Sequence, residues 1–229
     1  MREAWVGLES NPEVMTKYAR ALGVDTSWAF LDVWGIDKDT LDNAPTPAVA
    51  VVFLYPYSKV EARKSTLGAE RGRPNQNVWF MKQTVSNACG AVAIMHAVMN
   101  NRERLSSKAD LLGKFAQDTS GADASERGRL FVPAMRGIHL EVAPEGQTSA
   151  PKATADLDFH FVTYIAASDG HVYELDGNND GPIDCGPVGP HPSLLHAVVA
   201  YVKEAYIAPF PDCHFSLMML GPAGEAAGN

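Results

Sequence analysis

The sequence predicts one mixed α/β (α+β) domain, a central antiparallel sheet flanked by helices on both sides, and three stretches carry that expectation. Residues 88–99 place apolar side chains at 88, 91, 92, 94, 95, 98 and 99, a band too wide for a surface helix, so this helix is read as buried on nearly every side. Ala48 to Tyr55 is continuously apolar, the pattern of a strand covered on both faces. Leu157 to Ala166 and His171 to Leu175 are apolar, β-branched runs on either side of Ser168-Asp169-Gly170, which signals a hairpin. With 229 residues and 46% hydrophobic content the chain can bury a substantial core, and residues 1–229 are expected to form a single domain.

The remaining elements follow in order. Asn11-Pro12-Glu13 supplies a helix cap and the proline favoured after it, and Gly23 can end that helix. Trp28 to Trp34 reads as an aromatic-rich strand, and Pro45-Thr46-Pro47 breaks the chain before the next. Residues 58–77 turn polar and basic and are expected to form a mobile loop. Ser86 or Asn87 is expected to cap the central helix, which places Cys89 in its first turn. Helices are expected over Ser106 to Gln117 and Ser125 to Met135, the second stopping before Gly137, and Ile138 to Val142 alternates like a strand. Residues 143–156 lack periodicity and read as a second mobile loop; Gly181 to Pro192 is a loop, Ser193 to Tyr206 an amphipathic helix, and Phe215 to Leu220 the last strand.

Charge narrows the partners. A formal net charge of −8 argues against nucleic acid and anionic membranes and suits a basic partner segment. The longest apolar run is far too short to span a bilayer, and no secretory leader opens the chain, so a soluble cytoplasmic protein with nuclear access, acting as a monomer, is expected. Cys89, Cys185 and Cys213 are an odd, sparse set that fits a reducing compartment better than a disulfide framework. Neither a phosphate loop nor a paired Cys or His spacing is present, so no metal and no cofactor is expected.

Chemistry centres on Cys89. A helix N-terminus favours a thiolate, Gly90 leaves room for a close approach, and Gln83, six positions upstream, can aim its amide at a carbonyl oxygen under attack. His160 is the candidate base. Flanked by Phe159 and Phe161, it can face a cleft while those rings pack the core, and Asp176 can hold its Nδ1 if residue 160 falls opposite residue 176. A strict two-residue turn would not give that register, so a longer or bulged turn is expected. The competing readings are a cysteine buried as a small hydrophobe, a strand histidine and a turn carboxylate. His96 is read as a helix-packing residue, and His139, His171, His191, His196 and His214 as surface or loop residues.

Met81-Lys82-Gln83-Thr84-Val85-Ser86-Asn87-Ala88-Cys89-Gly90 resembles the active-site segment of the ubiquitin C-terminal hydrolases, the UCH family of cysteine deubiquitinases. The likeness extends to Leu8–Val14, Glu145–Thr148, Asp158–Phe161 and Asp169–Gly177, and is nearest to the short single-domain members. It implies a papain-like cysteine protease architecture, with Cys89 as nucleophile, His160 as base, Asp176 as its orienting group and Gln83 at the oxyanion. It further implies that Gly7, Leu8, Glu9, Ser10, Asn11 and Pro12 contact ubiquitin, and that Glu145, Gly146, Gln147, Thr148 and Ser149 belong to a crossover loop over the active site. The implied reaction is hydrolysis of amide, ester or thioester bonds after the C-terminal glycine of ubiquitin, with small or unfolded leaving groups preferred. A ubiquitin-like protein as substrate, or ubiquitin binding without turnover, are the rival expectations.

Overall fold

Asn11 starts the first helix. Its side-chain oxygen accepts from the Glu13 and Val14 amides at 2.8 and 3.3 Å, Pro12 follows, and α1 (Pro12–Leu22) runs until Gly23 closes it at φ 108°. The computed structural model describes residues 4–60, 77–106, 111–147 and 157–224. After α1 come β1 (Trp28–Asp32), α2 (Lys38–Asp42), β2 (Ala50–Pro56), α3 (Cys89–Asn100), α4 (Arg102–Leu105), α5 (Leu111–Asp118) and α6 (Ala124–Val142). The chain then adds β3 (Phe159–Ala166), β4 (His171–Leu175), β5 (Ile183–Pro187), α7 (Leu194–Val202) and β6 (Ser216–Pro222). The strands form one six-stranded sheet, ordered β1-β6-β2-β3-β4-β5, with every neighbouring pair antiparallel.

Period-two alternation along β2 divides the core. Ala50 and Val52 pack toward α1 and α3, whereas Val51, Phe53 and Tyr55 pack toward α7, so the strand is apolar throughout because both of its faces are covered. Every residue of α3 from Gly90 to Met99 is buried, and Thr163 on β3 donates to the Ala93 carbonyl at 2.7 Å, tying the helix to the sheet.

Four expectations change. Residues 138–142 are the end of α6 and no strand: Gly128, Phe131, Met135, His139 and Val142 bury at helical spacing, and Gly137 faces open space where it need not stop the helix. His139, expected at the surface, is consequently buried, and its Nε2 lies 2.7 Å from the Val6 carbonyl oxygen. The Gly181–Pro192 loop contains β5, an edge strand that accommodates Gly186 at φ 100° and ends on Pro187. Of the two expected mobile loops, residues 58–60 are helical and Ala143–Glu145 form a 3-10 turn; residues 61–76 and 148–156 lie outside the described part.

Burial of His96 makes stability depend on pH. Loss of water lowers its pKa from 6.5 to about 4, so the ring stays neutral in the native protein while the unfolded chain protonates it below about 6.5. Between those values the unfolded state binds more protons, and stability that is complete above the window falls as pH drops, by up to about 3 kcal/mol. Urea unfolding from pH 7 to pH 4 should show this decline, and His96→Gln should flatten it; an unchanged slope would assign the acid sensitivity to other groups.

Candidate active site

Cys89 is the first residue of α3, and neither Ser86 nor Asn87 caps that helix. Ala88 occupies the cap position with no side-chain hydrogen bond, Asn87 is left-handed at φ 60°, and the Ser86 carbonyl accepts from the Trp5 amide at 3.0 Å. Backbone N–H groups of Phe161, Gly90 and Cys89 itself lie close enough to the sulfur to favour its charged form. Burial pushes the Cys89 thiol pKa up, those N–H groups pull it down, and burial prevails. The thiolate expected from the helix terminus alone is therefore disfavoured. Gly90 suits this position: a Cβ in its place would stand 3.0 Å from the Leu8 Cβ, which would have to give way by a few tenths of an ångström.

β3 pairs with β2 over its whole length but with β4 only from Thr163↔Leu175 to Ala166↔Val172. Past Thr163 the two strands separate, and His160 meets Asp176 across the gap, Nε2 to Oδ1 at 2.7 Å, with both side chains buried. This corrects two expectations. The carboxylate holds Nε2 instead of Nδ1, leaving Nδ1 as the ring atom that can exchange a proton with a reacting group. The hairpin register would set Asp176 opposite Val162, so residues 160 and 176 are diagonal neighbours on one face. The longer turn that the sequence called for is present, with the Ala167 amide bonded to the His171 carbonyl at 2.9 Å and Gly170 at φ 80°. Rings of Tyr57 and Tyr55, centred 5.2 and 5.7 Å from that of His160, fix the imidazole plane. Phe159 leaves the core it was expected to pack and is 48% exposed, because the end of β3 lies at the rim of the site.

Gln83 is placed through its backbone, its amide donating to the Gly177 carbonyl at 2.9 Å, one residue beyond Asp176. Its side-chain Nε2 donates to the Val85 carbonyl at 3.0 Å, and Oε1 is buried without a partner among the described residues. A cavity of about 270 Å³ opens beside Cys89, lined by Gly7, Leu8, Glu9, Ser10 and Gly146 together with five apolar residues, among them Leu54, Phe159 and Phe161. Glu9 is its one charged lining residue, and its carboxylate accepts from the Gln147 amide at 2.6 Å. Lys17 and Glu145 pair at 2.6 Å nearby. Asn11 and Pro12 instead build the start of α1, and Thr148 and Ser149 lie outside the described residues. Leu54, Tyr55 and Tyr57 carry no motif; only their place on β2 and just after it could have marked them.

Gly177 is packed tightly in this arrangement, since a Cβ there would come within 2.9 Å of Gln83 Cβ and 3.0 Å of Gln83 N. Gly177→Ala should destabilise the fold by about 1–3 kcal/mol, a loss of about 2–4 °C in Tm for each kcal/mol in a domain this large. An unshifted thermal melt would show that the loop yields without strain.

A family model described as ubiquitin carboxyl-terminal hydrolase, family 1, matches residues 5–208. The ubiquitin carboxyl-terminal hydrolase of Aplysia californica is 35% identical over 213 residues, covering 92% of this chain and 98% of its own. Isozyme L1 of Rattus norvegicus is 35% identical over 203 residues, 86% of this chain and 89% of its own. In fold, the chain is similar to the Trichinella spiralis UCH37 catalytic domain, crystallised bound to ubiquitin vinyl methyl ester, with TM-score 0.77, 24% identity and 96% of each chain covered. The papain-like architecture expected from sequence is the fold of these neighbours.

Proposed function

This chain belongs to ubiquitin carboxyl-terminal hydrolase family 1, and from that premise we propose that it is a cysteine-dependent deubiquitinase that cleaves after the C-terminal glycine of ubiquitin. The observation that carries the residue roles is the buried His160–Asp176 pair, adjacent in the chain to the Phe161 amide that meets Cys89 sulfur. In this reading Nδ1 of His160 takes the thiol proton as sulfur attacks the glycine carbonyl carbon. The oxyanion is met by the second Nε2 hydrogen of Gln83 and the Cys89 amide. The C–N or C–O bond then breaks, His160 returns the proton to the departing amine or alcohol, and a thioester remains on Cys89. Water, deprotonated by His160, attacks the thioester carbonyl; ubiquitin leaves as a carboxylate and the thiol is restored.

The apolar cavity walled by Gly7 and Gly146 suits an extended chain better than a folded surface. Leaving-group size is limited by the cavity beside Cys89, whose volume of about 270 Å³ holds a few side chains. A folded domain of ubiquitin's size is about 29 Å across, whereas a single helix is about 10–12 Å. Small adducts and unfolded peptides are accordingly the preferred leaving groups.

A fluorogenic amide at the ubiquitin C-terminus tests the mechanism. Cys89→Ala should abolish turnover while ubiquitin binding survives, and full activity would end the thiol mechanism. Gln83→Ala should reduce kcat by about 10²–10³-fold with KM little changed; an effect on KM alone would assign Gln83 to substrate binding. Isopeptide-linked diubiquitin should be cut far more slowly than the fluorogenic amide, and equal rates would remove the size preference.

A further inference from the structure

The segment Trp79–Thr84, which carries the proposed oxyanion donor Gln83, has no regular secondary structure, yet it is bonded at each residue. Asn100 brackets Trp79, its Oδ1 accepting from the Trp79 amide at 2.8 Å and its Nδ2 donating to the carbonyl at 2.9 Å. His96 Nε2 lies 3.2 Å from both backbone polar atoms of Met81. Helix α6 supplies three more bonds from its first turns. The Ala124 carbonyl accepts from the Lys82 amide at 2.8 Å, the Gly128 carbonyl from the Thr84 hydroxyl at 2.9 Å, and Arg127 Nη1 donates to the Phe80 carbonyl at 3.1 Å. The same guanidinium stands 5.5 Å above the centre of the Trp79 ring. Arg127 thus grips the segment through a carbonyl and an aromatic face at once, and no other described cation bonds its backbone.

We infer that Arg127 is a positioning residue for the hydrolysis, presetting the Gln83 amide by clamping the Trp79–Thr84 segment to helix α6. The inference rests on the proposed role of Gln83 at the oxyanion. It touches neither substrate nor nucleophile, so its loss should alter the chemical step without altering binding. Alkylation supplies the contrast: displacement of iodide from iodoacetamide by Cys89 sulfur develops no oxyanion and needs no Gln83.

The test compares Arg127→Met and Arg127→Lys with the parent, each also combined with Gln83→Ala, after thermal melts have established which variants fold. With the fluorogenic ubiquitin amide, Arg127→Met should lower kcat about 10-fold, leave KM within about 2-fold, and leave the rate of Cys89 alkylation by iodoacetamide within about 2-fold. Arg127→Lys, which keeps a cation over Trp79 and a donor for the Phe80 carbonyl, should recover most of the loss. In the Gln83→Ala background the substitution at Arg127 should cost nothing further, because the group it positions is gone. The proposal is overturned if the folded variants turn over at the parental rate, if the loss recurs in the Gln83→Ala background, or if alkylation falls in parallel with turnover. Should Arg127→Met fail to fold, Arg127→Lys decides by the same criteria with a smaller expected loss. A Gln83→Ala enzyme with parental kcat would instead remove the assignment of Gln83, and the inference with it.

Discussion

Past Thr163 and Leu175 the strands β3 and β4 part, and the site is organised around that opening. While paired, the two strands satisfy each other's backbone; once apart, they free an edge of β3 and the segment after β4 for other bonds. The Gly177 carbonyl accepts from the Gln83 amide, and the Phe161 amide lies near the Cys89 sulfur, where it favours negative charge. His160 and Asp176, facing one another across the gap, bond directly. One local failure of pairing therefore fixes the helix terminus, the upstream loop and the hairpin relative to one another.

Buried polar groups maintain this arrangement because leaving them unmade is expensive. The Trp79–Thr84 segment crosses between α3, α6 and the end of β4 with no strand beside it, and side chains replace the ladder it lacks: Asn100 at Trp79, Arg127 at Phe80, His96 at Met81. Each bond contributes modestly as formed, but a buried peptide group left alone costs about 1–3 kcal/mol, so the segment has few alternatives to its present path. That rigidity lets a Gln83 side chain with Oε1 unpartnered remain in place.

Legibility in the sequence followed locality. The cap at Asn11, the doubly covered β2 and the buried α3 are set by neighbours within a few positions, and they read correctly. Ile138 to Val142 was ambiguous because a five-residue window fits period two as well as the helical period; the longer series from Gly128 decides for the helix. β5 is an edge strand whose glycine and proline look like loop. In the site, the pairing of His160 with Asp176 was legible, yet which imidazole nitrogen meets the carboxylate was not. That choice depends on the hairpin register, hence on a turn whose length composition does not fix. Phe159 misled for a related reason: strand alternation gives its face, but not that the strand outruns its partner there.

The state of the Cys89 thiol shows how tertiary context overrides a local rule. A helix start and three backbone N–H groups favour the thiolate, yet the surrounding Leu8, Leu54, Phe159 and Phe161 remove the water that would stabilise charge, and the pKa moves up. On the proposed mechanism the proton then leaves as the carbonyl arrives, when negative charge passes from sulfur to an oxygen that Gln83 and the Cys89 amide can meet. A neutral, half-buried thiol is also a poor target for oxidants, since susceptibility follows thiolate character and exposure. The apolar wall that slows ionisation therefore protects the nucleophile between turnovers.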